Sequence, residues 1–467
     1  MSETTGSGHE QTQTLEEMWA GSRASRLQTY EKLTGNGEYR AQQQQDFISG
    51  EIDNPILDAP NLDQVDLDTY ISELWELLRC VEDHTEEPSL EREAYDSIIA
   101  GKLAEVYYLH QSRNLLDMSD GPERIAGGEW IMQQARELYG LPEWATFNSM
   151  IRDLRSKLIN HRAADILAYQ IRQELLAVLP EITGTPETDN LNYNELIDLY
   201  KPLVDAEFSG LLTVVPEDKD EFTPEDMVQV FSDGLKYYEG TGIVEPGKWS
   251  SKINPDSKSI NTNQEDCTIE VGAGRTPLDN VGMRRLLLHE VGVHVQRRLM
   301  GERSDLAALG SGLVGYTDPE EGLGVVMEQI YSGETREAGV QYYTLLGFAV
   351  GLDGYKRNFR DTYEIAWRRQ VMLDILTSDE KLAEEVILKA KNQAYSQCVR
   401  IFRGTPCDLP GVVYPKDIAY HDGNAQIWKY LDRIRGNKAA FRQLFMGKFN
   451  PADPDQMKLV ESTVWSK

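Results

Sequence analysis

Leu286-Leu287-Leu288-His289-Glu290-Val291-Gly292-Val293-His294 sets two histidines and a glutamate into an apolar run with helical patterning. The chain has only seven histidines, and two of them bracket this glutamate. In the common H-E-x-x-H arrangement the histidines are four apart, share a helix face and bind zinc, with the glutamate as general base. Here they are five apart. On a regular α-helix that spacing turns the second ring through about 500°, leaving the two roughly 140° apart, too far to meet on one tetrahedral ion. A π-type turn absorbs the extra residue and returns both rings to one face, and such turns are frequent at functional sites. Gly292, inside the spacer, eases the distortion. The alternative is a pair of unrelated histidines on one helix.

A catalytic zinc needs a third protein ligand and one open position. The best supply lies downstream in Asp318-Pro319-Glu320-Glu321-Gly322-Leu323-Gly324. Asp318 and Pro319 read as a helix start with proline at the first position, which puts Glu320 and Glu321 in the first turn. Acids are expected there on helix-dipole grounds alone, so the spacing leaves Glu320 and Glu321 as alternatives. His421 is the only later histidine.

Upstream of the motif, Cys267-Thr268-Ile269-Glu270-Val271 alternates and ends at Gly272, which predicts a short β-strand. Pro277-Leu278-Asp279 then opens the motif helix. A strand followed directly by such a helix is the usual layout of zinc peptidases, where an edge strand aligns substrate by main-chain pairing. From Leu15 to about Tyr238 the pattern is helical, with Leu74, Leu77, Leu78 and Val81, and then Leu167, Ile171, Leu175 and Leu179, at three- and four-residue steps. Thr223-Pro224-Glu225-Asp226 is a capped helix start. Glycine- and proline-rich turns mark a change of texture near Gly240. Further helices are expected at Glu320 to Ile330, Arg336 to Val350, Phe359 to Leu376, Glu380 to Phe402 and Ile427 to Phe445. The expected fold is α+β and mostly α-helical: a disordered 1–14, a helical region 15–238, and a zincin-like catalytic region 239–467 with a small β-sheet beside the metal-motif helix.

The bulk properties narrow the function classes. Asp and Glu number 77 against 47 Lys and Arg, a net charge of −30 over 467 residues. A chain this acidic repels nucleic acid and anionic membranes. It also disfavours strongly acidic peptides unless a local basic groove exists. Cys80, Cys267, Cys398 and Cys407 form no CxxC pair and are expected to be buried free thiols. No apolar run is long enough to span a membrane, and Met1 to Leu15 has no signal-peptide core. A cytoplasmic location is the expectation.

The segments His289-Glu290-Val-Gly-Val-His294, Glu321-Gly-Leu-Gly324 and Arg400-Ile-Phe-Arg403-Gly together resemble the microtubule-associated tyrosine carboxypeptidase family and its bacterial relatives, which carry a Q-E-G-L-A motif. Phe47-Ile-Ser-Gly-Glu-Ile-Asp-Asn-Pro55 and Lys416-Asp-Ile-Ala-Tyr-His421-Asp-Gly match more loosely. The chain departs in having Glu320 where those relatives place Gln and Gly324 where they place Ala. The resemblance implies one Zn2+ per chain, with His289, His294 and Glu321 as ligands and Glu290 as general base. It implies a metallocarboxypeptidase acting on a peptide or protein C-terminus. Arg400 and Arg403, three apart near a helix end, are the candidates for binding the terminal carboxylate, because a guanidinium matches a carboxylate bidentately. Lys416 and His421 are secondary candidates. Two other readings stand beside this one: a zinc endopeptidase on the same core, and a non-enzymatic helical interaction protein with a structural zinc site.

Overall fold

Residues Ser250–Asn254, Ile260–Asn263 and Thr268–Gly272 form three strands, here β1, β2 and β3, and the remaining regular elements among the described residues are helices. The computed structural model describes residues 15–35, 37–84, 89–182, 191–306, 308–335, 338–376 and 382–464. The stretch 1–14 lies outside them, as do Arg336 and Glu380, where the sequence places two helix starts. The fold is α+β and mostly helical, as the sequence indicates.

The predicted strand is β3, and it is not at the edge. The order is β1-β3-β2, with β1 parallel and β2 antiparallel to β3. Ile269 and Val271 of β3 are fully buried, as befits a central strand. The edge strand beside the cleft is instead β2, whose sequence Ile-Asn-Thr-Asn carries no alternation that would reveal it. Asn263 closes the β2–β3 hairpin by accepting the backbone N–H of Glu265 and Asp266 at 2.9 and 3.0 Å. Cys267 then enters β3 in the left-handed region, with φ 52°. The hairpin is tied to the N-terminal part of the chain: Glu265 accepts from Gln28 N–H at 3.0 Å and from Lys32 Nζ at 2.7 Å.

Asp279 caps the motif helix, its side chain accepting from Gly282 N–H at 2.7 Å. The helix runs as Asn280–Leu287 in α form, Leu288–Val295 in π form and Gln296–Glu302 in α form again. The expected irregularity therefore covers both histidines. Gly292 contributes by its small size, since a Cβ there would stand 3.1 Å from the Phe208 ring. Leu288, Val291, Val293 and Val295 are fully buried. They share one hydrophobic cluster with Phe208 and Leu211 of the helix Tyr193–Leu212 and with Leu323, Val326 and Met327 of the helix Thr317–Ser332.

Two further clusters fill the rest of the molecule, one around Phe47, Phe147 and Phe359, the other around Trp19, Tyr95 and Tyr108. Each of the three clusters draws residues from both sides of the texture change near Gly240. The helix Thr317–Ser332 begins two residues before Pro319, and it crosses the helix Ala419–Ile434 at a pair of glycines. A Cβ on Gly322 would fall 2.1 Å from the carbonyl carbon of Gly423, so only glycine permits this approach.

Candidate metal centre

The π-turn and the glycine crossing bring three side chains together. One ligand atom each from His289, His294 and Glu321 lies within 4.8 Å of the others, the one such grouping among the described residues. Glu321 Oε2 stands 4.0 Å from His289 Nε2 and 3.9 Å from His294 Nε2. A tetrahedral zinc with bonds of ~2.0–2.1 Å spaces its donors about 3.3 Å apart, so closing on an ion draws the donors together by up to about 1.5 Å. Two imidazole nitrogens and a carboxylate oxygen are also a donor set that suits zinc.

The far side of each ring is held by a carboxylate. His289 Nδ1 is 2.7 Å from Glu328 Oε1, and His294 Nδ1 is 3.0 Å from Glu320 Oε1. Such partners fix ring orientation and leave Nε2 for the metal. Glu328 also accepts from Arg285 at 2.6 Å. Glu320 pairs with Arg297 at 2.5 Å and lies 3.6 Å from Lys448 Nζ. Glu320, the alternative third ligand in the sequence reading, is thus engaged behind His294, while Glu321 faces both rings. Glu321 and Glu328 are seven residues apart, about two turns, and so share a helix face. Gly324 lies between them, where a Cβ would come 2.7 Å from the His289 ring.

These groups hold one another's charge states. Burial opposes a charged His289, but the hydrogen bond it donates to Glu328 and the carboxylates of Glu290, Glu328 and Glu321 outweigh it, and the ring rises to about 9 in the metal-free protein. Burial likewise opposes ionised Glu320, yet Lys448, Arg297 and His294 bring it down to about 2. Glu321 is held below the ordinary carboxylate range against burial by Lys416, His294 and His289. Burial pushes Lys448 down to about 8.

Glu290 sits between the histidines and accepts from Thr262 Oγ1 of β2 at 2.7 Å. His289, Glu290, His294 and Glu321 open onto a cleft of about 190 Å³. Ile260, Asn261 and Thr262 of β2 line it, together with Thr29 and Tyr30 from the N-terminal part. In the β2–β3 register Gly272 N–H donates to Ser259 C=O at 2.8 Å. Alternation then turns the main-chain groups of Asn261 and Asn263 toward β3 and those of Ile260 and Thr262 away from it.

Arg400 and Lys416 line the same cleft. The Arg400 fork is engaged by Asp417, at 2.6 Å from Nε and 2.9 Å from Nη2. Lys416 Nζ is 3.5 Å from Glu321 Oε1. Arg403 is buried behind the wall, with its guanidinium 4.4 Å from the centre of the Tyr30 ring. His421 does not line the cleft; its ring packs on Tyr343 at 4.5 Å and its Nδ1 is 2.8 Å from Asp422. The cleft is no basic groove: Lys102, Lys416, Lys448 and Arg400 each face a carboxylate within 4 Å. The sequence reading missed Glu328, Thr262, Arg285, Arg297 and Lys448. Of these only Glu328 left a signal, its seven-residue spacing from Glu321.

Residues 381–465 match the family model described as microtubule-associated tyrosine carboxypeptidase. The chain resembles that family. The matched stretch holds Arg400, Arg403, Lys416 and Lys448, all within or behind the cleft wall, whereas the histidine motif and Glu321 precede it. No curated protein and no solved structure matches the chain. No described helix is long and apolar enough to cross a membrane. The four cysteines are free thiols; Cys398 and Cys407 are buried, whereas Cys80 and Cys267 are partly exposed, short of the burial expected for them.

Proposed function

We propose that the chain is a zinc-dependent metallocarboxypeptidase that removes a C-terminal residue, tyrosine by analogy with the matched family, from a peptide or protein. The observation that carries this reading is the convergence of His289, His294 and Glu321 on one point in a cleft that also contains Glu290. His289, His294 and Glu321 would hold the ion. When bound, zinc activates water and polarises the scissile carbonyl.

The remaining work falls to side chains of this protein. Glu290 takes the proton of the attacking water and passes it to the leaving amine, and Thr262 fixes the carboxylate by donating to Oε2. Ile260 and Thr262 of β2 offer outward main-chain groups to an extended substrate. The terminal carboxylate would meet the cleft wall at Lys416, beside Arg400, whose fork Asp417 already holds, with Arg403 supporting Tyr30 from behind. An edge strand along the cleft also suits a longer substrate, which keeps the endopeptidase reading as the second one.

One experiment separates them. The zinc-loaded protein is incubated with a mixed peptide library and with a decapeptide ending in tyrosine, as free acid and as amide, with and without chelator, and products are mapped by mass spectrometry. Loss of single C-terminal residues from the acid, but not from the amide or in the presence of chelator, is expected. Equal cleavage of acid and amide leaves the endopeptidase; no cleavage of any peptide ends both. Glu290→Gln should keep the metal and lose roughly 10²–10⁴-fold in rate. Near-normal turnover in that variant removes Glu290 from the mechanism.

A further inference from the structure

Tyr420 stands at the junction of the elements that build the cleft and has no part in the mechanism above. It belongs to the first turn of the helix Ala419–Ile434, whose Gly423 backs onto Gly322. That crossing carries Tyr420 to the glutamate beside Gly322, and its ring lines the cleft together with Glu290, His289 and His294.

Its surroundings orient the hydroxyl. Arg400 Nη2 donates to the Tyr420 oxygen at 3.5 Å, at the long end of a hydrogen bond. Arg400 is itself fixed on three sides: Asp417 holds its fork at 2.6 and 2.9 Å, and the Tyr342 and Tyr420 rings lie 4.6 and 5.5 Å from its guanidinium carbon. A guanidinium has donors and no acceptor. Arg400 can therefore only donate to the phenol oxygen, so the phenol proton is left for another acceptor. Asp417, Arg400 and Tyr420 thus form a chain that ends in an O–H donor at the cleft.

We propose that Tyr420 is a catalytic residue that donates its O–H to the scissile carbonyl oxygen as that oxygen takes up negative charge. This rests on the peptidase reading of the site. As the water oxygen adds to the carbonyl carbon, the C=O π pair moves onto the carbonyl oxygen. Tyr420 shares its proton with that oxygen without giving it up, and the C=O re-forms as the C–N bond breaks and the amine leaves with the proton from Glu290. A donor fixed in advance is worth most where charge develops. Arg400 is in this scheme a positioning residue, which accounts for its fork being committed to Asp417.

The test is Tyr420→Phe, which removes one hydroxyl and keeps the ring between Arg400 and the cleft. Zinc content and melting temperature are measured first and should equal those of the wild type. With the tyrosine-ended decapeptide, kcat should fall about 100-fold, the loss typical of one such donor, while KM changes less than about threefold. The phosphinic analogue of the decapeptide, which presents a charged oxygen at the scissile position, should bind the variant about 100-fold more weakly by calorimetry. The shortened product peptide should bind both proteins equally. A variant that keeps kcat and phosphinate affinity within about threefold overturns the proposal, as does one that weakens product and phosphinate equally or loses zinc. If the wild type cleaves no peptide, the peptidase reading fails and takes this inference with it.

Discussion

His289 and His294 are supported in the same way by two different constructions. Behind His289, Glu328 and Arg285 form a pair whose side chains are 20% and 17% exposed. Behind His294, Glu320 is 5% exposed, Arg297 1% and Lys448 3%. The hydrogen-bond role is common to both, but the energetic setting is not. Arg297 additionally donates to the backbone carbonyls of Gly447 and Phe449 at 2.7 and 2.9 Å, so the deep support also fastens the C-terminal segment. Water at the shallow support can take over a lost partner. At the deep one a lost partner leaves the buried Glu320 charge only partly compensated, by Lys448 at 3.6 Å. The two supports should therefore separate in mutagenesis, one acting mainly on the fold and the other mainly on the metal.

The largest effect is expected from Arg297→Ala. Removing one partner of a buried ion pair costs about 3–5 kcal/mol, and denaturant unfolding of the chelator-treated protein should show a loss of that order. A loss below about 1 kcal/mol would mean that the deep support is not structural. Next comes Glu328→Gln, which should weaken zinc binding about 10–100-fold, the usual cost of removing a ligand's orienting partner, while the unfolding midpoint of the metal-free protein stays nearly unchanged. Competition against a chromophoric chelator measures the first quantity. An unchanged zinc affinity would sever Glu328 from the centre. The smallest effect belongs to Arg285→Ala, one step further out. Its partly exposed pair with Glu328 is expected to contribute about 1 kcal/mol or less and to alter zinc affinity only a few-fold. If Arg285→Ala matched Arg297→Ala in stability, the contrast between the supports would be lost.

The sequence made the irregular motif helix legible because five-residue spacing and helical rise conflict by simple arithmetic, and the helix is π over Leu288–Val295. The mostly helical α+β character was legible from three- and four-residue periodicity. The sheet was legible only at β3, whose apolar alternation reflects burial; β1 and β2, with Ser-Ser-Lys-Ile-Asn and Ile-Asn-Thr-Asn, pair through backbone groups that any side chains allow. The strand taken for an edge is central for the same reason, since its edge partner was invisible. Glu320 and Glu321 could not be told apart in sequence because adjacent helical residues differ by about 100° and only the crossing angle decides which faces the histidines. The arginines show the limit of motif reading. Arg400 lines the cleft, but its commitment to Asp417 depends on a contact 17 residues away, and Arg403 is buried behind Tyr30.

The proposed chemistry requires that one ion join the π-turn histidines to Glu321. The most direct measurement is the zinc content of wild type, His289→Ala, His294→Ala and Glu321→Ala, each refolded or dialysed against limiting zinc, freed of unbound metal and read by atomic emission. One zinc per chain is expected in the wild type and loss of stoichiometric zinc in each histidine variant, with a large drop for Glu321→Ala. Either histidine variant holding a full equivalent with unchanged affinity would contradict that expectation.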